Sequence, residues 1–168
     1  MTMQECWDAV TQVTTAPRVQ ISMMLAAGLE SSWQSVAQYG GGPGRGMWQV
    51  EAAEGGWHYG RISVADAMNP VTAARYMLGD FQRASLDVSD ADYARDPAEA
   101  YGEVAFRAER PAARYPADRV AARWATLQPF LASKGVGCRH RAAKPRHAPR
   151  RAIHGGLWRG FAPHPRGA

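Results

Sequence analysis

One carboxylate in this sequence stands where a proton is easily kept. Glu30 follows residues 19–29, VQISMMLAAGL, in which Gln20 and Ser22 are the polar exceptions to an apolar run. At the C-terminal end of a buried helix a carboxyl meets the negative pole of the helix dipole and apolar neighbours, and both disfavour its ionised form. A carboxylic acid that holds its proton near neutrality is what general acid catalysis requires. The plain alternative is a solvated residue at a helix end. Ser31 adjoins Glu30, and after a glycine-rich loop Gly46-Met47-Trp48-Gln49 offers close backbone approach, an aromatic face and an amide.

The elements that must position these groups come next. Residues 17–29 predict a helix apolar nearly all round, which belongs inside a domain; Pro17 suits its first turn, and the run is too short to cross a membrane. Residues 38–45, QYGGGPGR, are punctuated by Gly and Pro and predict an irregular loop. No GK[ST] follows and no β-rich run precedes, so a phosphate-binding loop is not expected. Residues 51–60, EAAEGGWHYG, add Trp57, His58 and Tyr59 on a glycine-rich loop, where they serve either to stack on a ligand or to plug the core.

Around this centre the pattern is helical. Met3, Trp7, Val10 and Val13 fall at helical spacing. Ser63 with Asp66 resembles a cap for a short turn, and Asn69-Pro70 opens a longer helix with Val71, Ala74, Leu78 and Phe81 on one stripe. Residues 85–95 read as a polar linker, and Asp96-Pro97 with Glu99 starts another helix lined by Ala98, Tyr101, Ala105 and Ala108. Arg110-Pro111 and Tyr115 read first as helix-breaking architecture. The chain restarts near Pro116 with Val120, Trp124, Leu127 and Leu131 in register. Strand alternation is confined to a short extended piece near residues 47–51. The expected fold is mainly α, with five or six helices around the one that ends in Glu30 and at most a minimal β element.

Of the 168 residues, 46% are hydrophobic, enough for one domain with a core and some chain to spare. The domain is expected over residues 1–134, which hold twelve basic and fifteen acidic side chains, net −3. Residues 135–168 carry eight Lys or Arg and four His with no acid, so the formal +5 of the chain belongs to a basic Pro/Gly/Arg-rich tail. Such a tail is expected to be disordered. It either solubilises the protein or contacts an anionic polymer or membrane; with an acidic domain beside it, nucleic acid is not the expected partner. Cys6 and Cys138, without CxxC spacing, read as free thiols. The N-terminus, MTMQECWDAV, lacks a basic start followed by an apolar run, so a signal peptide is not expected.

Residues 29–49, LESSWQSVAQYGGGPGRGMWQ, with Gly56-Trp57, Asn69-Pro70 and Trp124 following in that order, resemble the lysozyme-like superfamily, in its lytic transglycosylase and goose-type lysozyme branch. The likeness, to actinobacterial and phage-type members above all, covers about residues 17–130. In that branch a Glu-Ser pair ends a buried helix and a Gly-x-x-Gln segment lines a sugar groove. Here Ser32 replaces the usual glycine, Val50-Glu51 a glutamine and its neighbour, and Asn69 an aspartate. The resemblance implies a lysozyme-like helical domain that cleaves the β-1,4 bond between N-acetylmuramic acid and N-acetylglucosamine in peptidoglycan. It implies Glu30 as the catalytic acid and Ser31, Gly46, Trp48, Gln49, Trp57, Tyr76 and Tyr101 as substrate-binding residues. Tyr76 comes by its place in the Asn69-Pro70 helix, where a core role is the alternative, and Tyr101 by analogy with an Ala-Tyr-Asn segment. The expected partner is the glycan strand, met by a monomer without metal or cofactor. A transglycosylase works with one carboxylate; a hydrolytic lysozyme needs a second, for which Glu51, Glu54 and Asp66 are the candidates. A wall-cutting enzyme without a signal peptide points to a bacteriophage endolysin released from the host cytoplasm, a virion-associated lysin, or secretion by another route.

Overall fold

Every residue from 19 to 29 is buried, and four other helices pack around that run. The computed structural model describes residues 2–111 and 113–136. It contains α1 (Met3–Val13), α2 (Pro17–Ser31), α3 (Val64–Met68), α4 (Pro70–Leu86), α5 (Asp90–Arg95), α6 (Pro97–Glu109) and α7 (Ala117–Ser133), with β1 (Val36–Ala37), β2 (Gly44–Gly46) and β3 (Val50–Glu51) between α2 and α3. Helix α2 is the hub, contacted by α1, α4, α6 and α7. Met23, Met24, Leu25 and Leu29 are fully enclosed, each burial stabilising by about 2 kcal/mol relative to exposure. The two polar side chains within the run are satisfied locally: Gln20 donates to the Thr14 carbonyl (2.6 Å) and Ser22 to that of Arg18 (2.8 Å). No helix is long and apolar enough to cross a membrane among the described residues.

The helix starts follow their capping residues. Ser63 accepts from the Asp66 amide, Asn69 from the Val71 and Thr72 amides, and Asp96 from the Glu99 amide. Pro70 and Pro97 sit where a missing N–H is harmless. Three antiparallel strands form a sheet in the order β1-β2-β3, with Val36 opposite Gly46 and Arg45 opposite Val50. Gly46 takes φ +78°, and a Cβ there would lie 1.9 Å from the Ala67 carbonyl. Glycine is therefore what lets the sheet close onto α3.

The architecture differs from expectation in two places. Seven α-helices are present among the described residues, against five or six expected, because residues 85–95 are not a linker. Helix α4 continues to Leu86, and Ser89 with Asp92 forms a reciprocal cap that starts α5. Residues 38–45 are also more regular than their glycines suggest: Tyr39–Gly41 make a 3-10 turn, and Gly44 already pairs in β2. Cys6 is a buried thiol in α1 whose pKa is pushed up by that burial. The expected disordered basic tail, apart from Gly135 and Val136, and with it Cys138, lies outside the described residues.

Candidate active site

The last turn of α2 is fixed from three sides. Two successive residues, Ser32 (φ 55°) and Trp33 (φ 60°), turn left-handed and fold the Trp33 ring back over the helix end. Its indole N–H donates to the Met24 carbonyl (2.8 Å). Gly28 makes room, since a Cβ at that position would meet the indole at 2.5 Å. On the second side the Ser31 hydroxyl donates to the Met47 carbonyl (2.8 Å), lies 3.0 Å from that of Ala27, and accepts from the Gln34 amide (3.1 Å). On the third side α7 supplies two arginines one turn apart: Arg119 donates to the Leu29 carbonyl, and Arg123 to the Ser32 hydroxyl (2.6 Å). A cation at a helix C-terminus opposes the dipole there.

Glu30 emerges from this clamp half-buried. Burial raises its pKa above the ordinary carboxylate value; the hydrogen bond from Tyr115 and the charge of Arg119 oppose that rise without cancelling it. The Tyr115 hydroxyl donates to Oε1, which leaves Oε2 to carry the proton. Tyr115 itself is pushed far above its normal range by burial and by the neighbouring carboxyls of Glu109 and Glu30, so it remains a neutral donor.

Glu109 is the residue that sequence reasoning missed. It ends α6 as Glu30 ends α2, its Oε1 is buried, and that oxygen has no hydrogen-bond partner. Burial, followed by the charges of Glu30 and Asp80, raises its pKa well above the usual carboxylate range. An uncompensated buried charge is costly enough that the group keeps its proton instead. The signal was available, because Ala100, Val104, Ala105 and Ala108 make an apolar helix that also ends in Glu. Tyr115 likewise proves to be more than a breaker of helices. The expected second carboxylates are occupied elsewhere: Glu51 accepts from the Trp57 amide (3.0 Å), Asp66 is tied to Ser63 (2.6 Å), and Glu54 is exposed.

Beside the bend that follows Glu109, α4 carries further polar groups. Asp80, on α4, acts on Glu109 and on His58, and lies 3.7 Å from the Arg110 guanidinium. Tyr76 shares a 2.8 Å hydrogen bond with His58 Nδ1, and their rings meet edge to face at 5.3 Å. Burial lowers the His58 pKa, favouring the neutral ring, while Asp80 pulls the other way. Trp57 and Tyr59 are 65% and 61% exposed, so this loop does not plug the core.

The other expected site residues separate into two groups. Gln49, in the left-handed region at φ 46°, donates to the Val36 and Gly46 carbonyls (3.0 and 2.7 Å), and so braces the sheet beside Ser31. Gly46 belongs to the same turn, which the Ser31–Met47 bond ties to the end of α2. Trp48 and Tyr101, expected to bind substrate, are core residues instead. Trp48 is 1% exposed and donates its indole N–H to the Met23 carbonyl (2.9 Å); Tyr101 is 2% exposed and stacks on Trp124 at 5.2 Å. Both sit at positions of the helical and turn pattern that point inward, and packing takes their rings.

Two cavities lie on the surface of the described fold. One, of about 400 Å³, lies between α6 and α7 and has Tyr115 in its wall; the other, of about 790 Å³, is bounded by α3, α4 and the loop of Trp57 and has Tyr76 in its wall. Glu30 lines neither: it meets the first through Tyr115, and the second through the bend after α6, where Arg110 pairs with Asp80 (3.7 Å), one turn of α4 from Tyr76. No group of three His, Cys, Asp or Glu side chains gathers as a metal site among the described residues. The arrangement is suited to one-proton transfer: a half-buried acid with a fixed tyrosine donor, beside a second carboxyl kept neutral. Comparison of the chain with protein-family models, curated proteins and solved structures finds no match.

Proposed function

We propose that the protein is a peptidoglycan-degrading enzyme of lysozyme-like fold, cleaving the β-1,4 bond between N-acetylmuramic acid and N-acetylglucosamine as a lytic transglycosylase. The observation that carries this is the placement of Glu30 at the end of the buried α2, with burial raising its pKa and Tyr115 holding one of its oxygens. Glu30 protonates the leaving glycosidic oxygen through Oε2. The neighbouring acetamido group supports the anomeric carbon, and the resulting carboxylate takes the proton of the muramoyl C6 hydroxyl as that oxygen closes a 1,6-anhydro ring. The Tyr115 hydrogen bond and the Arg119 charge favour the ionised form and stabilise Glu30 between the two transfers.

A hydrolytic route through the same bond needs a carboxylate to activate water. Glu109 is a second carboxyl that feels the Glu30 charge, and its buried, unpartnered oxygen favours the protonated state, which does not accept a proton from water. This supports the one-carboxylate route.

The test is to digest purified peptidoglycan and weigh the fragments. Anhydro-muropeptides are expected; products heavier by one water, about 18 Da, would replace the transglycosylase with a muramidase. Glu30→Gln is expected to release no soluble fragments, and undiminished release by that variant removes Glu30 from the chemistry.

A further inference from the structure

Nine of the eleven arginines in the described residues have a side chain engaged in an ion pair or hydrogen bond. The two without either, Arg61 and Arg75, line the same cavity, the one of about 790 Å³ beside Tyr76. Arg61 comes from the loop after Trp57, whose ring its guanidinium overlies at 5.5 Å, and Arg75 from α4. The hydroxyl-bearing residues in the wall are Tyr59, Ser63, Thr72 and Tyr76, of which Ser63, Thr72 and Tyr76 are hydrogen-bonded to Asp66, Asn69 and His58. The wall holds one carboxylate, Asp66, already hydrogen-bonded to Ser63 at 2.6 Å in capping α3. The cavity, an open depression, therefore presents two guanidiniums against one partly engaged acid, with the Tyr59 hydroxyl in the same wall. Guanidinium groups recognise planar carboxylates through paired N–H donors. A concave surface with a few convergent polar groups is the usual form of a ligand site.

We propose that this cavity is an anion subsite that takes the carboxylate-bearing peptide stem of the glycan strand. The assignment rests on the glycan-cleaving function proposed above. A stem branching from the muramoyl sugar must leave near the acid, and Tyr76 in this wall stands one turn of α4 from Asp80, which pairs with Arg110 (3.7 Å) in the bend that brings Tyr115 to Glu30. Tyr59, exposed, belongs to the wall, and the exposed Trp57 lies against Arg61. The subsite would make peptide-bearing strands better substrates than bare glycan without touching the bond that breaks.

The test is calorimetric binding of a disaccharide–tetrapeptide muropeptide to the Glu30→Gln protein, which holds the fragment without turning it over. The probe is used with free carboxylates and with the same carboxylates methyl-esterified. The free form is expected to bind about tenfold more tightly, and an Arg61→Gln/Arg75→Gln double variant, altered at two exposed positions, is expected to bind both forms alike. Equal affinities in the parent, no binding of either form, or a preference that survives in the double variant would overturn the subsite. Fragment release from whole peptidoglycan by the unmutated protein is scored separately. Release without a carboxylate preference removes the subsite and keeps the enzyme, whereas a preference without release keeps the anion site and removes the enzyme.

Discussion

The Tyr115 hydroxyl and Glu30 Oε1 are joined by a hydrogen bond across 85 residues of chain. The two residues come from opposite edges of the molecule's centre: Glu30 from the last turn of α2, Tyr115 from the bend between α6 and α7. Their contact depends on α6 stopping at Glu109, where Arg110 turns left-handed (φ 50°) and Pro111 prevents continuation. The break that ends α6 thus delivers two groups to one acid, Glu109 from its last turn and Tyr115 from the bend.

Removing the donor tests that relationship. In Tyr115→Phe the burial of Glu30 is opposed by Arg119 alone, so the Glu30 pKa rises and the alkaline limb of the pH–activity profile moves to higher pH. Turnover at the optimum is expected to fall about tenfold as the acid loses its orientation. A profile that keeps its alkaline limb in place would show that the tyrosine does not act on the acid.

Glu109 makes a prediction about stability. A carboxyl whose pKa is raised on folding binds more protons folded than unfolded. Its favourable contribution is complete below the ordinary value of 4.5 and is lost as pH rises through the raised value. Glu109→Gln cannot ionise, so its melting temperature is expected to decline less than that of the parent over the same rise in pH. Parallel melting curves across the range would mean that Glu109 is not the group being titrated.

Trp48 distinguishes core from groove. Trp48→Phe loses the indole bond to the Met23 carbonyl and leaves a void under the sheet, which should cost about 1–3 kcal/mol. The melting temperature falls while KM for peptidoglycan is unchanged. A raised KM with unaltered stability would return Trp48 to the substrate.

Ser32 carries a backbone cost that glycine avoids. Ser32→Gly relieves a left-handed residue at the C-cap of α2 and is expected to stabilise by about 0.5–1 kcal/mol, because the exposed Arg123 contact that it gives up is worth little. Ser32→Ala, which loses the hydroxyl without relieving the backbone, is expected to be no more stable than the parent. If both variants melt below the parent, the hydroxyl matters more than the strain.

Much of the helical scaffold was written locally. The apolar run of residues 19–29 predicts a buried hub whatever surrounds it, and Asn69, Asp96 and Ser63 announce helix starts through hydrogen bonds that reach three residues at most. Glu30 was legible for the same reason, since its peculiarity is the company of its own helix. What lay beyond the sequence is everything that depends on two distant segments meeting. Glu109 looks like an ordinary helix-terminal acid until α6 packs on α2 and takes water away from one of its oxygens. Tyr115 looks like a turn residue until the bend carries its hydroxyl to Glu30. Trp48 and Tyr101 are substrate-binding residues by resemblance until packing draws both into the interior, and Arg61 and Arg75 share nothing before α4 and the Trp57 loop form the wall of one cavity. Local hydrogen bonds and periodicity are encoded by neighbours in sequence, whereas desolvation and coupling between charges depend on neighbours in space, and these exist only once the chain has closed.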